Sequence, residues 1–428
     1  MSMTMVAVLG IGAMLMLLAL RMPVSFALMF TGLAGSAYIV GLDPALSLLA
    51  ADSYRQLTSY GLSVVPLFVL MGQITYRAGI SQRLYGAAYD WIGALPGGIA
   101  ATTILASMGF STVSGSNSAT TATMGAVALP EMKKYEYDPG LSGASVAIGG
   151  TLGVVIPPST ALIIIAIQSE QSISALFTAA LVPGLIVGGV LVATVIGLCW
   201  LRPELGPPGP RTSWATKLRA LTGVIEVVVL FGTVIGGMAL GWFTPTEAGA
   251  VGACGALAIA VVGGNLNLRN AWGATTESLR VSAMVLLLIT GAVVFGRFLS
   301  LTRMPFELAD WVSALDAPRI LVLLLIILIY VVGGAFMDAL GFLVISIPIF
   351  FPLAVALDYD LVWFTIIITL VTTIGAVSPP VGVNVYIVSA LDKSLDVMTT
   401  FKGTMVFYVG YLVCIGLFIA FPGIVTTT

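Results

Sequence analysis

Long apolar runs separated by short polar punctuation dominate the chain, and they are too long and too uniform to be the stripes of helices on a soluble core. Ten of them, near residues 3–20, 24–41, 58–76, 142–170, 175–200, 222–241, 245–262, 281–300, 361–390 and 404–421, carry few charges or none. A helix rising about 1.5 Å per residue needs about 20 such residues to cross a hydrocarbon layer about 30 Å thick. The pattern predicts an all-α polytopic membrane protein. Composition agrees, because 59% hydrophobic and 8% charged residues leave too little polar surface to keep a soluble domain dissolved.

Two stretches depart from the pattern. Residues 97–131 and 319–352 each have a polar or glycine-rich centre, and the first contains "STVSGSNSATTAT" from Ser111 to Thr123. Folded into two arms of about 15 residues, each arm reaches about 22 Å, too short to cross. Both stretches are therefore expected to be re-entrant helical hairpins.

The chain also repeats itself. "TLGVVIPPS" at Thr151–Ser159 matches "TIGAVSPPV" at Thr373–Val381, an offset of 373 − 151 = 222. Pro23 and Pro245, Pro96 and Pro318, and Pro130 and Pro352 pair at the same offset. Such register divides the chain into two similar halves, near 1–220 and 221–428. With five crossings and one hairpin in each half, the second half is expected to be inverted relative to the first. Placing the amino terminus outside puts thirteen of the seventeen Lys and Arg residues in the cytoplasm, with Arg55, Arg297, Arg303 and Arg319 outside, as the positive-inside rule requires. Residues 203–219, "PELGPPGPRTSWATKLR", read as a linker followed by an interfacial helix. Residues 80–95 and 303–317 read as lateral helices at the membrane surface.

Several functions are excluded. There is no histidine, so no histidine relay, zinc site or Ser-His-Asp triad exists. Cys199, Cys254 and Cys414 stand singly, without metal or redox spacing. The first span is followed, not preceded, by a basic residue, Arg21, and is expected to be retained rather than cleaved as a signal. No organic cofactor and no nucleic-acid partner are expected.

Backbone freed from helical hydrogen bonds cannot face lipid and must face protein or water. Ser114, Gly115, Ser116, Asn117 and Ser118 form the expected tip of the first hairpin, offering oxygen ligands for a hard cation such as Na⁺. The arm beginning at Ala119 directs its N-terminal N–H groups at the same point, which favours a carboxylate. A small-residue packing seam is the structural alternative. Pro157-Pro158 and Pro379-Pro380 each interrupt a long apolar stretch, because consecutive prolines remove donors and disfavour helix before them. Each stretch becomes two half-helices flanked by Gly150, Thr151, Gly153, Thr372, Thr373, Gly375 and Ser378; a plain proline kink is the alternative for either one.

Glu226 and Asp338 are the acids well inside apolar segments, where a carboxylate is a functional candidate by default. Asp338 corresponds to Ser116, since 338 − 116 = 222. It suits an ion ligand, an N-cap of the following arm, or both. Glu226 lies close enough to the cytoplasmic end to pair with a basic group or another subunit. Glu247, in "TPTE", reads as a capping box. Asn384 is expected to face a substrate cavity.

"VSGSNSATTATMGAVALPEM", "GGTLGVVIPPS", "FTPTEAGAVGA" and "PPVGVNVYI" together resemble the large membrane subunit of tripartite ATP-independent periplasmic (TRAP) transporters, in order and over nearly the whole chain. The resemblance implies a Na⁺-driven importer of small organic acid anions such as dicarboxylates or sialic acid in the bacterial inner membrane. It also implies an elevator mechanism, a separate small four-helix membrane subunit, and a periplasmic substrate-binding protein. Residues 1–96 and 203–318 then make the scaffold with the linker, and 97–202 and 319–428 the two halves of a transport domain. The candidate sodium ligands are Ser114, Gly115, Ser116, Asn117, Thr151, Gly153, Pro157, Asp338, Thr373, Gly375 and Ser378; the candidate substrate contacts are Ser118, Thr120, Ser159, Gly382 and Asn384. This sequence departs from the resemblance where Ala339 and Leu340 follow Asp338. The rival is a self-sufficient sodium–dicarboxylate symporter, which needs no binding protein. An ion channel would need a continuous polar path, and an enzyme would need an acid–base pair that two separate deep acids do not supply.

Overall fold

The computed structural model describes residues 2–264, 267–314 and 318–426. Every regular element among them is helical. The first half runs α1 (Met3–Ala19), α2 (Val24–Val40), α3 (Leu42–Leu57) and α4 (Val64–Arg77), then a short amphipathic α5 (Ile80–Ile92). Two arms follow, α6 (Gly98–Ser114) and α7 (Asn117–Lys134), then α8 (Pro139–Val155) and α9 (Thr160–Gln168), and finally α10 (Ile173–Leu201). The linker carries α11 (Trp214–Ala220).

The second half repeats that order. α12 (Thr222–Phe231) continues through a π turn into α13 (Gly237–Ala239), followed by α14 (Pro245–Val262), α15 (Leu268–Thr302) and the short α16 (Met304–Ala314). Arms α17 (Arg319–Phe336) and α18 (Ala339–Ala356) precede the pair α19 (Leu361–Gly375) and α20 (Val383–Leu391), and α21 (Val397–Ala420) closes the half. Both Pro-Pro steps fall in the gaps within the broken pairs, and both are cis.

Side-chain caps set many of the helix starts. Ser116, Asp138, Ser159, Ser172, Asp338, Asp360 and Asp396 each accept a backbone N–H from the turn they begin, satisfying a donor the helix cannot satisfy itself. Thr244 and Glu247 form the expected capping box, with Thr244 N–H donating to Glu247 at 2.9 Å. Glu226 meets Arg83 of α5 at 2.6 Å, the basic partner anticipated for it.

The broken helices form the centre. Every residue of α8 from Gly140 to Val155 and of α19 from Trp363 to Gly375 is buried. α8 packs on α6, α7 and α21, and α19 on α17, α18 and α21. The second arms exchange partners: α9 packs against α18, while α20 packs against α7 and α8. A second group, α2, α4, α14 and α15, packs together beside this centre.

Four expectations are revised. α3 was absent from the ten runs because it carries Asp43, Asp52 and Arg55; Asp52 is buried but paired with Arg297 of α15, which donates from Nε at 3.1 Å and from Nη2 at 2.8 Å. The span expected at 58–76 is the second limb of a unit made by α3 and the segment Tyr60–Arg77, bent by 54°. The run at 281–300 is part of a 35-residue helix. The hairpin arms have 17 and 18 residues in the first half and 18 each in the second, longer than expected, and by length and apolarity α17 and α18 are each sufficient to cross a membrane, against the expectation that the arms are too short. Of the surface helix read at 303–317, residues 315–317 lie outside the described residues.

Candidate substrate and ion site between two hairpin tips

The tip of the first hairpin forms because Gly115 adopts a left-handed conformation, φ 59°, that ends α6, after which Ser116 turns extended and caps α7. Ser114 Oγ and Thr120 Oγ1 lie 2.6 Å apart across the turn. The Gly115 carbonyl accepts from the Thr160 N–H at 3.2 Å and the Thr160 hydroxyl at 2.9 Å, so the tip is seated on the start of α9. Close approach is also enforced from α8. A β-carbon on Gly153 would lie 2.6 Å from the Ser116 carbonyl oxygen, and no side chain fits there. On the outer flank Gly72 of α4 holds the same relation to the Val113 carbonyl oxygen, also at 2.6 Å.

The second tip is built differently. Met337 is extended, and Asp338 caps α18 by accepting the Leu340 N–H at 3.2 Å. The Ala335 carbonyl accepts the Val381 N–H at 3.0 Å, tying the end of α17 to the second Pro-Pro break. The Asp338 side chain is exposed to the cavity described next.

Both tips open into one cavity of about 780 Å³, within the range of small-molecule sites. Ser114, Gly115, Ser116, Asn117, Ser118 and Asp338 line it. The opposite wall comes from the start of α2, the last turns of α4 and the first half of α15. On the positive-inside orientation all three of those segments lie toward the cytoplasm.

The remaining candidates are placed next to the site but outside the cavity lining. Thr151 bonds the Ile148 carbonyl and the Tyr411 hydroxyl of α21. Ser159 spans the first break by donating to the Val154 carbonyl at 2.6 Å and capping α9. Pro157 is buried in that break. Thr373 donates to Leu370 at 2.6 Å, and Ser378 donates to Ile374 at 2.7 Å and to Tyr408 at 2.9 Å. Gly375 packs against Gly334 of α17, and Gly382, in a left-handed conformation, begins α20. Thr120 holds the tip. Asn384 does not face the cavity: it is fully buried and donates to Asn117 Oδ1 at 2.6 Å and to the Ala147 carbonyl at 2.8 Å. These groups shape the tips and breaks from behind.

Among the polar lining residues that sequence reasoning missed are Gln73, Arg77, Thr160 and Glu277. Thr160 was legible as the first residue of the helix after the Pro-Pro break. Arg77 and Glu277 sit at helix positions whose cavity-facing side only tertiary packing defines. Among the described residues no group of three His, Cys, Asp or Glu side chains comes together. A cation held at this site would be coordinated mainly by hydroxyl, amide and carbonyl oxygens, with one carboxylate from Asp338.

A family profile described as the DctM component of the tripartite ATP-independent periplasmic transporter matches residues 11–424. The C4-dicarboxylate TRAP transporter large permease protein DctM of Pseudomonas aeruginosa is 32% identical over 84% of this chain and 84% of its own. The sialic acid TRAP transporter large permease protein SiaM of Vibrio cholerae is 30% identical over 95% of this chain and 94% of its own. Among solved structures, the YdaH transporter of Alcanivorax borkumensis, described as having an unusual topology, superposes with a TM-score of 0.62 over 89% of each chain. At 15% identity that likeness concerns the fold.

Proposed function

The chain belongs to the DctM-component family of tripartite ATP-independent periplasmic transporters, and from that premise we propose that it imports a small organic acid anion by Na⁺ symport. It is an integral inner-membrane transport permease, not an enzyme. In the proposed cycle a periplasmic binding protein delivers the anion, a separate small membrane subunit braces the scaffold, and the hairpins with their broken helices carry the load past α2, α4 and α15. The two halves are inverted about an axis in the membrane plane, which the exchange of α9 and α20 between halves supports.

One observation carries the proposal: two hairpin tips, Ser114–Ser118 and Asp338, converge on a single cavity. Tip hydroxyls and carbonyls suit Na⁺, and the first N–H groups of α7 suit a carboxylate. The relatives named for C4-dicarboxylates and sialic acid support an acid as cargo.

The test is uptake into proteoliposomes holding this chain and its small subunit, with a panel of radiolabelled organic acids. Uptake of one acid should require both an inward Na⁺ gradient and the cognate binding protein. Uptake that persists without the binding protein would favour the self-sufficient symporter, and uptake indifferent to Na⁺ would remove the coupling ion.

A further inference from the structure

We propose that Arg77, on the scaffold wall opposite the tips, is a seat for a carboxylate of the transported anion in this conformation. The inference rests on the transporter proposal and adds a substrate contact outside the hairpins and broken helices.

Arg77 closes α4 and lines the cavity that both tips share. Among the described residues lining that cavity it is the one cation, beside the carboxylates Glu277 and Asp338. Its charge is not consumed by the protein. Glu277, on the same wall, pairs with Arg280 at 3.5 Å, and Arg77 Nε is buried with no hydrogen-bond partner. Nε stays enclosed, and a ligand carboxylate in the cavity accepts a bidentate pair from the two Nη groups.

The guanidinium also has a built position. A β-carbon at Gly273 of α15 would lie 2.7 Å from Arg77 Nη1 and 2.8 Å from Cζ, so the group lies flat along α15 where that helix lacks a side chain. α15 thus holds the guanidinium at the wall, one helical turn before Glu277.

A contact on α4 has a consequence that one on a hairpin lacks. If the tips move relative to the scaffold, Arg77 meets the substrate in only one of the two positions. Binding energy spent in one state alone shifts the equilibrium toward that state. Arg77 thereby favours the loaded carrier with its cavity bordered by α4 and α15.

The experiment is calorimetric titration of succinate into the purified full-length chain in detergent with Na⁺ present. Wild type is compared with Arg77→Gln, Arg77→Lys and Gly273→Ala, and ligand-free melting is recorded for each. Arg77→Gln should weaken succinate binding about tenfold or more, and Arg77→Lys should fall between it and wild type. Gly273→Ala should weaken binding while keeping the charge, because the guanidinium is pushed off α15. Equal succinate affinity in wild type and Arg77→Gln overturns the proposal, as does a wild type that binds no succinate. If Arg77→Gln melts early without ligand, Gly273→Ala decides, and its unchanged affinity overturns the proposal. Na⁺-driven uptake of a labelled acid judges the transporter proposal separately.

Discussion

Asn384 donates to Asn117 Oδ1 at 2.6 Å, joining the arm after the second break to the first residue of α7. The same amide reaches the Ala147 carbonyl of α8, so one side chain from the second half fastens two elements of the first.

Asn384→Ala should therefore loosen the interlock. It leaves the buried Asn117 Oδ1 without its donor, a loss of about 1–3 kcal/mol. Thermal unfolding in detergent should show a lower midpoint. A midpoint equal to that of wild type would mean the bond contributes nothing to the joint between halves.

Asp338→Asn separates charge from capping. Asparagine caps helices as well as aspartate does, so α18 should still start at Ala339 and the protein should melt near the wild-type temperature. Na⁺-dependent uptake should fall to background. Wild-type uptake by this variant would remove the carboxylate from the ion site.

Gly153→Ala tests the contact between α8 and the first tip. The added methyl would meet the Ser116 carbonyl oxygen at 2.6 Å, and a backbone oxygen held at a tight turn cannot rotate away as a side chain can. The strain is on the order of 1–3 kcal/mol. Membrane insertion should persist, followed by size exclusion, while uptake is lost. A variant transporting at the wild-type rate would show that the tip tolerates displacement.

The junction between α20 and α21 should respond to acid. Ser394 donates to Asp392 from its hydroxyl at 2.6 Å and its N–H at 2.9 Å, and Lys133 of α7 stands 3.6 Å away. These contacts, Ser394 foremost, hold the Asp392 carboxyl below its ordinary range. Because folding lowers this pKa, the stabilisation is complete above the unfolded value, about 4, and fades as pH falls through the folded one. Hydrogen exchange at residues 392–396 should quicken on acidification below about pH 4. Asp392→Asn should exchange quickly at neutral pH and lose most of that response.

The legible parts of this molecule were those with a local chemical cause. Pro157-Pro158 and Pro379-Pro380 announce breaks wherever they stand, since a missing N–H needs no tertiary context. Ser114–Ser118 announced a tip because so polar a run cannot lie in lipid. α3 stayed hidden because its buried Asp52 is neutralised by Arg297, 245 residues away, and no window along the chain contains both. Thr151 and Thr373 were read as sodium ligands and Asn384 as a substrate contact, and each spends its polar group on the protein itself. Thr373 bonds Leu370 of its own helix, whereas the partners of Thr151 and Asn384, Tyr411 and Asn117, are set by how the halves interlock. Arg77 was legible as a basic residue near the cytoplasm, and its place on the cavity wall appears only once α4 lies beside α15.

The seat of Gly72 beneath the Val113 carbonyl makes α4 meet the first hairpin as one bare main chain on another. Ridges that interdigitate resist shear, since each tooth must climb out of its groove. A smooth stretch offers no teeth. At this spot α4 resembles a plain bearing, and in the proposed cycle the hairpin slides along it without first unmeshing.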